Sequence, residues 1–329
     1  MPRIKSGDSI SQVPELTSSL DQLNTMYNKM LSSLIGMFDP KDIFDKLSPE
    51  VEKMFMEHFG GIPQVHKLLL PDGEEHPFTG TTHEMFDTVL NLVNLDIPVY
   101  LCGPAGVGKN YLVKQIAEAL GKEFYFSNAV TQEYALVGFL NANGVYMKTQ
   151  FYDAFTKGGI FFLDEIDASI PEVLIILNAA IANRYFNFPC GRVYAHPDFR
   201  VVAAGNTLGT GADSQYTGRY CLDRASLDRF AIVHIDYSPK IDLESAGGDS
   251  ELAKFAQTFR EVCKDTGIQC LCSYRSISRI HSMESVKLAS LKEIMKMALV
   301  KDLDIDDINI LHSELRKRIP SNKYVDALK

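Results

Sequence analysis

Ile97-Pro98-Val99-Tyr100-Leu101-Cys102-Gly103-Pro104-Ala105-Gly106-Val107-Gly108-Lys109-Asn110 is the stretch that decides the fold. Its first six residues are short, apolar and rich in strand formers, which predicts a buried strand with Pro98 near its start. The next eight have G-x-x-x-x-G-K spacing: glycines let backbone N–H groups turn inward around phosphate, and Lys109 neutralises charge at the β/γ oxygens. Leu112, Val113, Ile116, Ala117 and Leu120 then recur at helical spacing until Gly121, so a helix begins near Gly108 and aims its positive end at the same anion. Strand, glycine loop and helix in this order imply a nucleoside triphosphate held by Gly103, Pro104, Ala105, Gly106, Val107, Gly108, Lys109 and Asn110. Only the last position is irregular. A hydroxyl residue normally follows the lysine and ligates Mg²⁺, whereas Asn110 offers an amide oxygen that can reach the ion directly or through water.

Downstream, Ile160-Phe161-Phe162-Leu163-Asp164-Glu165 is an apolar strand ending in two carboxylates. Asp164 at the strand end suits Mg²⁺, usually through water, and Glu165 suits the polarisation of a water attacking the γ-phosphate. An acidic pair after a strand is common on surfaces, but this one follows a phosphate loop with room for one helix and one strand between. Val201-Val202-Ala203-Ala204-Gly205-Asn206-Thr207 is a further buried strand whose polar end places Asn206 where an amide could orient the water. Strands are also expected at Glu123 to Phe126 and Ala231 to Tyr237. Helical segments between several of these predict an α/β fold, a parallel sheet with helices on both faces.

With 329 residues, 46% of them hydrophobic, the chain can build such a core and a smaller second unit. A net charge of -9 argues against a generic binder of phosphate backbones, and the cluster Arg316, Lys317, Arg318 reads as a solvated helix end. The six cysteines form no C-x-x-C element, so neither zinc nor a disulfide framework is expected, and Cys102 reads as a core residue. No apolar run reaches the ~18 residues needed to cross a bilayer, and the polar N-terminus lacks a signal-peptide core, so a cytoplasmic protein without a membrane partner is expected.

Three regions follow from the patterning. Residues 1–80 read as an N-terminal helical extension: Leu16, Leu20, Leu23, Tyr27, Met30, Leu34 and Met37 form a heptad-like stripe, helix restarts near Ser48-Pro49, and the polar stretch Pro71 to Pro77 reads as a linker. Residues 81–245 form the nucleotide-binding core, opened by a helix from Thr81 that carries Met85, Phe86, Val89, Leu90 and Val93. Residues 246–329, after Gly247-Gly248, read as a C-terminal helical lid with Leu252, Phe255, Phe259 and Val262 on one face.

Beyond the phosphate loop and acidic pair, the strand ending in Asn206, the segment Leu222-Asp223-Arg224-Ala225-Ser226-Leu227-Asp228-Arg229-Phe230 and Ser273-Tyr274-Arg275 resemble motifs of the AAA+ ATPases. The resemblance spans about residues 81 to 280. It implies that Asn206 is the sensor 1 residue, that Arg275 is sensor 2 near the phosphates, and that Arg229 is the arginine finger, with Arg219 and Arg224 as competitors. Within AAA+ proteins the likeness is to the MoxR, CobS and dynein-related branch, especially CobS-like ATPases of phages and prophages. Two hairpin signals fit that branch: Asn143-Gly144, suited to a type I′ turn, and Phe186 to Tyr194, turning near Cys190-Gly191. The resemblance implies an ATP hydrolase using ATP and Mg²⁺, assembled as a homo-oligomeric ring, expected to be a hexamer. Lys109, Asp164, Glu165 and Asn206 would come from one subunit and the finger from the next, with a protein client or macromolecular assembly remodelled. The alternatives are a nucleic-acid motor or initiator accessory, and a nucleotide-gated scaffold with slow turnover. ATP is favoured over GTP because no N-K-x-D guanine motif is present.

Overall fold

The computed structural model describes residues 65–69, 75–79, 81–212, 216–301 and 303–329. The helices expected over Leu16–Met37 and after Ser48-Pro49 lie outside the described residues. Strands β1 (Val65–Leu69) and β2 (Glu75–Thr79) pair antiparallel, with Val65 opposite Thr79 and Leu69 opposite Glu75. The tail of the stretch read as a linker, Glu75 to Pro77, is therefore strand.

From residue 81 the chain alternates helix and strand. Helix α1 (Phe86–Asn94) starts five residues later than the sequence pattern suggested and leads to β3 (Val99–Cys102), then α2 (Lys109–Ala119) and β4 (Phe124–Ser127). After α3 (Glu133–Val137) a small hairpin of β5 (Phe139–Leu140) and β6 (Tyr146–Met147) precedes α4 (Gln150–Lys157), which Thr149 caps by accepting the Tyr152 N–H, and β7 (Gly159–Leu163). Helix α5 (Pro171–Asn183), the hairpin β8 (Tyr185–Phe188) and β9 (Gly191–Tyr194), and β10 (Phe199–Gly205) follow. The short α6 (Arg224–Leu227) then leads into β11 (Ala231–His234).

Five of these strands make one parallel sheet in the order β11-β3-β10-β7-β4. Parallel pairing demands crossovers, and the helices that supply them cover both faces. Side-chain alternation divides the core accordingly. Tyr100, Phe161, Leu163, Val201 and Ala203 face a layer containing Phe151, Phe155 and Leu177, while Val99, Leu101, Phe162, Val202 and Ala204 face Phe86, Leu112 and Ile116. The aromatic side is tied by edge contacts, Phe155 lying 5.0 Å from Phe199 and Phe151 lying 5.1 Å from Phe161.

Register fixes what emerges at the carboxyl ends of the strands. Cys102 lies beside Gly205, and Leu163 beside Ala203, so the phosphate loop, Asp164-Glu165 and Asn206 all leave the sheet at one edge. Strand β10 sits between the strand that feeds the loop and the strand that carries the acids, an order that sequence spacing alone does not reveal.

The β5–β6 turn corrects one expectation. A type I′ turn needs positive φ at both central residues, but here Gly144 (φ 71°) has it and Asn143 does not. The loop instead spans Asn141 to Val145, and the Asn141 side chain accepts the N–H groups of Asn143 and Val145, each at 2.9 Å. Phe139, Leu140, Val145 and Met147 remain exposed on this hairpin. The second hairpin pairs Phe188 with Gly191 around Pro189-Cys190, close to the predicted turn.

Helices α7 (Pro239–Ser245), α8 (Ser250–Thr266), α9 (Tyr274–Ser285), α10 (Leu291–Ala298), α11 (Ile305–Arg318) and α12 (Lys323–Asp326) share a separate core around Leu252, Phe255, Phe259, Ile277, Ile280 and Tyr324. Ile241 of α7 belongs to that core, so Gly247 and Gly248 lie within the helical layer, between α7 and α8. Arg260 locks the layer: it pairs bidentately with buried Asp242 at 2.8 Å for both contacts and donates to the Cys272 carbonyl at 2.6 Å. Arg316, Lys317 and Arg318 end α11, where they pair with Asp326, Glu314 and Asp265. None of the six cysteines forms a disulfide, and Cys102 is buried. Among the described residues no helix is long and apolar enough to cross a membrane.

Candidate nucleotide site

The loop between β3 and α2 owes its path to glycines at two points of close approach. A Cβ at Gly103 would lie 1.9 Å from the Ile235 carbonyl oxygen, and one at Gly106, whose φ is +72°, would lie 2.5 Å from Ser273 Cβ. The first contact is with the strand edge and the second with the helical layer, so the loop is gripped from both sides. Three hydrogen bonds add to this: Tyr237 Oη donates to the Ala105 carbonyl at 2.9 Å, the Tyr274 N–H donates to the Gly106 carbonyl at 3.4 Å, and the Ala105 N–H donates to Tyr216 Oη at 3.1 Å.

Lys109 opens α2 and turns back over the loop. Its Nζ donates to the Gly103 and Pro104 carbonyls at 2.6 and 3.0 Å and to Asn206 Oδ1 at 2.8 Å. Burial pushes its pKa down from 10.5 to about 8, because an ammonium loses hydration there; Asp164 opposes this and Arg219 adds to it. The loop cation and the Asn206 amide are thus already in contact.

Asp164 is held above its ordinary carboxylate range, with burial as the largest cause and hydrogen bonds from Asn110 and the Glu165 N–H opposing it. The Glu165 N–H reaches Asp164 Oδ1 at 2.9 Å, and Glu165 itself adopts a left-handed backbone (φ 53°) that turns the chain sharply off β7. One carboxylate and one amide oxygen beside a phosphate loop form a hard oxygen donor set of the kind Mg²⁺ takes, with water and phosphate completing its shell. Among the described residues no group of three or more His, Cys, Asp or Glu side chains forms a self-sufficient metal site.

Two carboxylates here are tied by one guanidinium. Arg219 Nη1 lies 3.1 Å from Asp167 Oδ1, and Nη2 lies 3.4 Å from Glu165 Oε1. Asp167 is fully buried, and its other oxygen accepts the Asn206 N–H, the Thr207 N–H and the Thr207 hydroxyl at 3.0, 2.9 and 3.0 Å.

These elements bound a cleft of about 760 Å³ lined by Ala105 to Asn110, Asp164, Glu165, Asn206, Tyr111, Tyr274 and Arg275, among others. Its size suits a nucleotide-sized ligand. The structure therefore brings together the predicted phosphate loop, acidic pair, amide and Arg275, while Gly103 and Pro104 lie beneath as acceptors for Lys109. Arg229 is not among them. It is exposed on the turn after α6, donating to the Ala225 carbonyl, and Arg224 is exposed as well. Asp167, Tyr216 and Arg260 lie in no motif of the sequence; the one available signal for Asp167 is an acid in an otherwise apolar turn, Ile166-Asp167-Ala168.

Residues 98–230 match the family model for the AAA domain of the dynein-related subfamily, which supports an AAA+ ATPase. Uncharacterised proteins of Staphylococcus saprophyticus and of Staphylococcus aureus strain bovine RF122 are each 30% identical over 166 residues, covering 46% of this chain and 60% of theirs. The match thus spans less than two thirds of either relative. Among solved structures, NtrX from Brucella abortus in complex with ADP aligns at 17% identity and TM-score 0.40, covering 94% of this chain and 60% of that one. No functional inference follows from a structural likeness this distant.

Proposed function

We propose that the chain is a ring-forming AAA+ ATPase that couples ATP binding and hydrolysis to the remodelling of a protein or macromolecular assembly. The observation that carries this reading is the convergence of Lys109, Asp164, Glu165, Asn206 and Arg275 on one cleft while Arg229 stays exposed outside it. In this reading Lys109 and the loop N–H groups hold the phosphates, and Asp164 with Asn110 holds Mg²⁺, which screens phosphate charge when bound. Glu165 polarises the attacking water and Asn206 orients it. Arg229, free of its own cleft, serves the neighbouring subunit by stabilising charge that develops as the γ-phosphate leaves. The exposed apolar β5–β6 hairpin is offered to the client.

Mixed assemblies test the shared site. Lys109→Ala subunits lose nucleotide but keep Arg229, and Arg229→Ala subunits bind nucleotide but offer no finger. Each should be nearly inactive alone, and a mixture should recover hydrolysis. Full activity of Arg229→Ala would remove this residue from the mechanism and promote Arg219 or Arg224, and full activity of a stable monomer would reject the shared-site model. One observation favours a second reading, a nucleotide-gated scaffold with slow turnover: Asn110, in place of a hydroxyl ligand, hydrogen-bonds Asp164. Nucleotide-dependent assembly without repeated turnover would select it.

A further inference from the structure

Arg219 competes with Arg229 for the role of a finger that reaches a neighbouring subunit, but its contacts point elsewhere. Its side chain is only 11% exposed, and both ends of its guanidinium engage carboxylates of its own chain. The anchor is Asp167. Besides Arg219, Asp167 takes three donors from the Asn206-Thr207 turn, and its carbonyl accepts the Tyr220 N–H at 2.7 Å, which clamps the segment carrying Arg219. Gly205 makes room for this: a Cβ there would lie 2.2 Å from Tyr100 Oη and 3.0 Å from Asp167 Cγ. A contiguous set of contacts thus runs from the strand end bearing Asn206, through Asp167 and Arg219, to Glu165.

We propose that Arg219 is a positioning residue for Glu165 within its own subunit, holding that carboxylate over the cleft from a fixed point on Asp167. A planar guanidinium suits this, because its two nitrogens can engage two carboxylates at once, which a single ammonium does not reproduce with the same geometry. Glu165 follows a left-handed residue geometry and is 42% exposed at its side chain, so without Arg219 it samples other rotamers. The proposal rests on the reading that Glu165 polarises the attacking water.

The variant to use is Arg219→Lys. Arg219→Ala would leave Asp167 buried without a cation, and a folding defect would confuse the result. The lysine variant, checked by thermal unfolding, should lower kcat for ATP roughly 10- to 100-fold with KM within about twofold, because binding is untouched while the reacting geometry is loosened. An unchanged kcat, or a raised KM alone, overturns the proposal. Coupling gives the sharper readout. In a Glu165→Gln background, Arg219→Lys should cause no further loss, whereas a full multiplicative loss would show that Arg219 acts independently of Glu165. Mixing Arg219→Lys with Lys109→Ala subunits should give no recovery, since each intact Arg219 then sits in a dead site; recovery would make Arg219 a finger in trans. If the unmodified protein hydrolyses no ATP, the assigned role of Glu165 falls and that of Arg219 with it, a failure distinct from an active protein indifferent to Arg219→Lys.

Discussion

Nucleotide affinity should weaken with rising pH through the titration of Lys109. In the nucleotide-free cleft, burial lowers its pKa from 10.5 to about 8. A bound triphosphate brings negative charge to Nζ and stabilises the ammonium, returning its pKa to at least the ordinary value. Below the free-site pKa the ammonium is present in both states and affinity is flat. Above it, each binding event must take up a proton, so affinity falls by up to about tenfold per pH unit, or roughly 15-fold between about pH 8 and 9.5. Among the other residues lining the cleft whose shifts are resolved, Asp164 and Glu244 are carboxylates, and Tyr111 and Tyr274 are pushed upward by burial. Calorimetry with ATP and the Glu165→Gln variant, in two buffers of different ionisation enthalpy, should give uptake of about 0.9 proton near pH 9 and about 0.1 more than ATP's own contribution near pH 7. Affinity that stays flat to pH 9.5, with no proton uptake, would refute the placement of a depressed lysine against the phosphates.

Two further substitutions probe the site and the layer that grips it. Asn110→Thr should lower the Mg²⁺ concentration needed for half-maximal hydrolysis by supplying a hydroxyl oxygen and freeing Asp164 from the Asn110 hydrogen bond; a higher requirement in a folded variant would show that the amide is the better partner. Arg260→Leu should destabilise the helical layer by about 3–5 kcal/mol, because it strands a buried carboxylate at Asp242, and a loss under about 1 kcal/mol in denaturant unfolding would contradict that pairing.

Much of the nucleotide-binding core was legible in the chain because its signals are local. A buried strand, a glycine loop and a helix follow one another within 97–119, and apolar runs ending in Asp164-Glu165 and Asn206 mark the sheet edge where the cleft forms. Less legible were features set by partners far away in sequence. Arg219 meets its carboxylates across separations of 52 and 54 residues, so its own segment gives no sign of which groups it serves. Tyr237, Tyr216 and Tyr274 look like ordinary aromatics, and only the tertiary fold brings them onto the phosphate loop. The β5–β6 turn was misjudged for a related reason. Asn143-Gly144 permits a type I′ turn, but the Asn141 side chain captures two backbone N–H groups and selects a wider loop.

A ring ATPase of the proposed kind requires that this cleft bind ATP and hydrolyse it repeatedly through Glu165. Phosphate release by the purified protein with ATP and Mg²⁺, beside nucleotide binding by the same preparation and by Glu165→Gln, tests it most directly. The unmodified protein should release many phosphates per subunit, and Glu165→Gln should bind ATP with at least about 100-fold slower release. Equal release from both proteins, or no release beyond one phosphate per subunit from a protein that binds ATP, would contradict it.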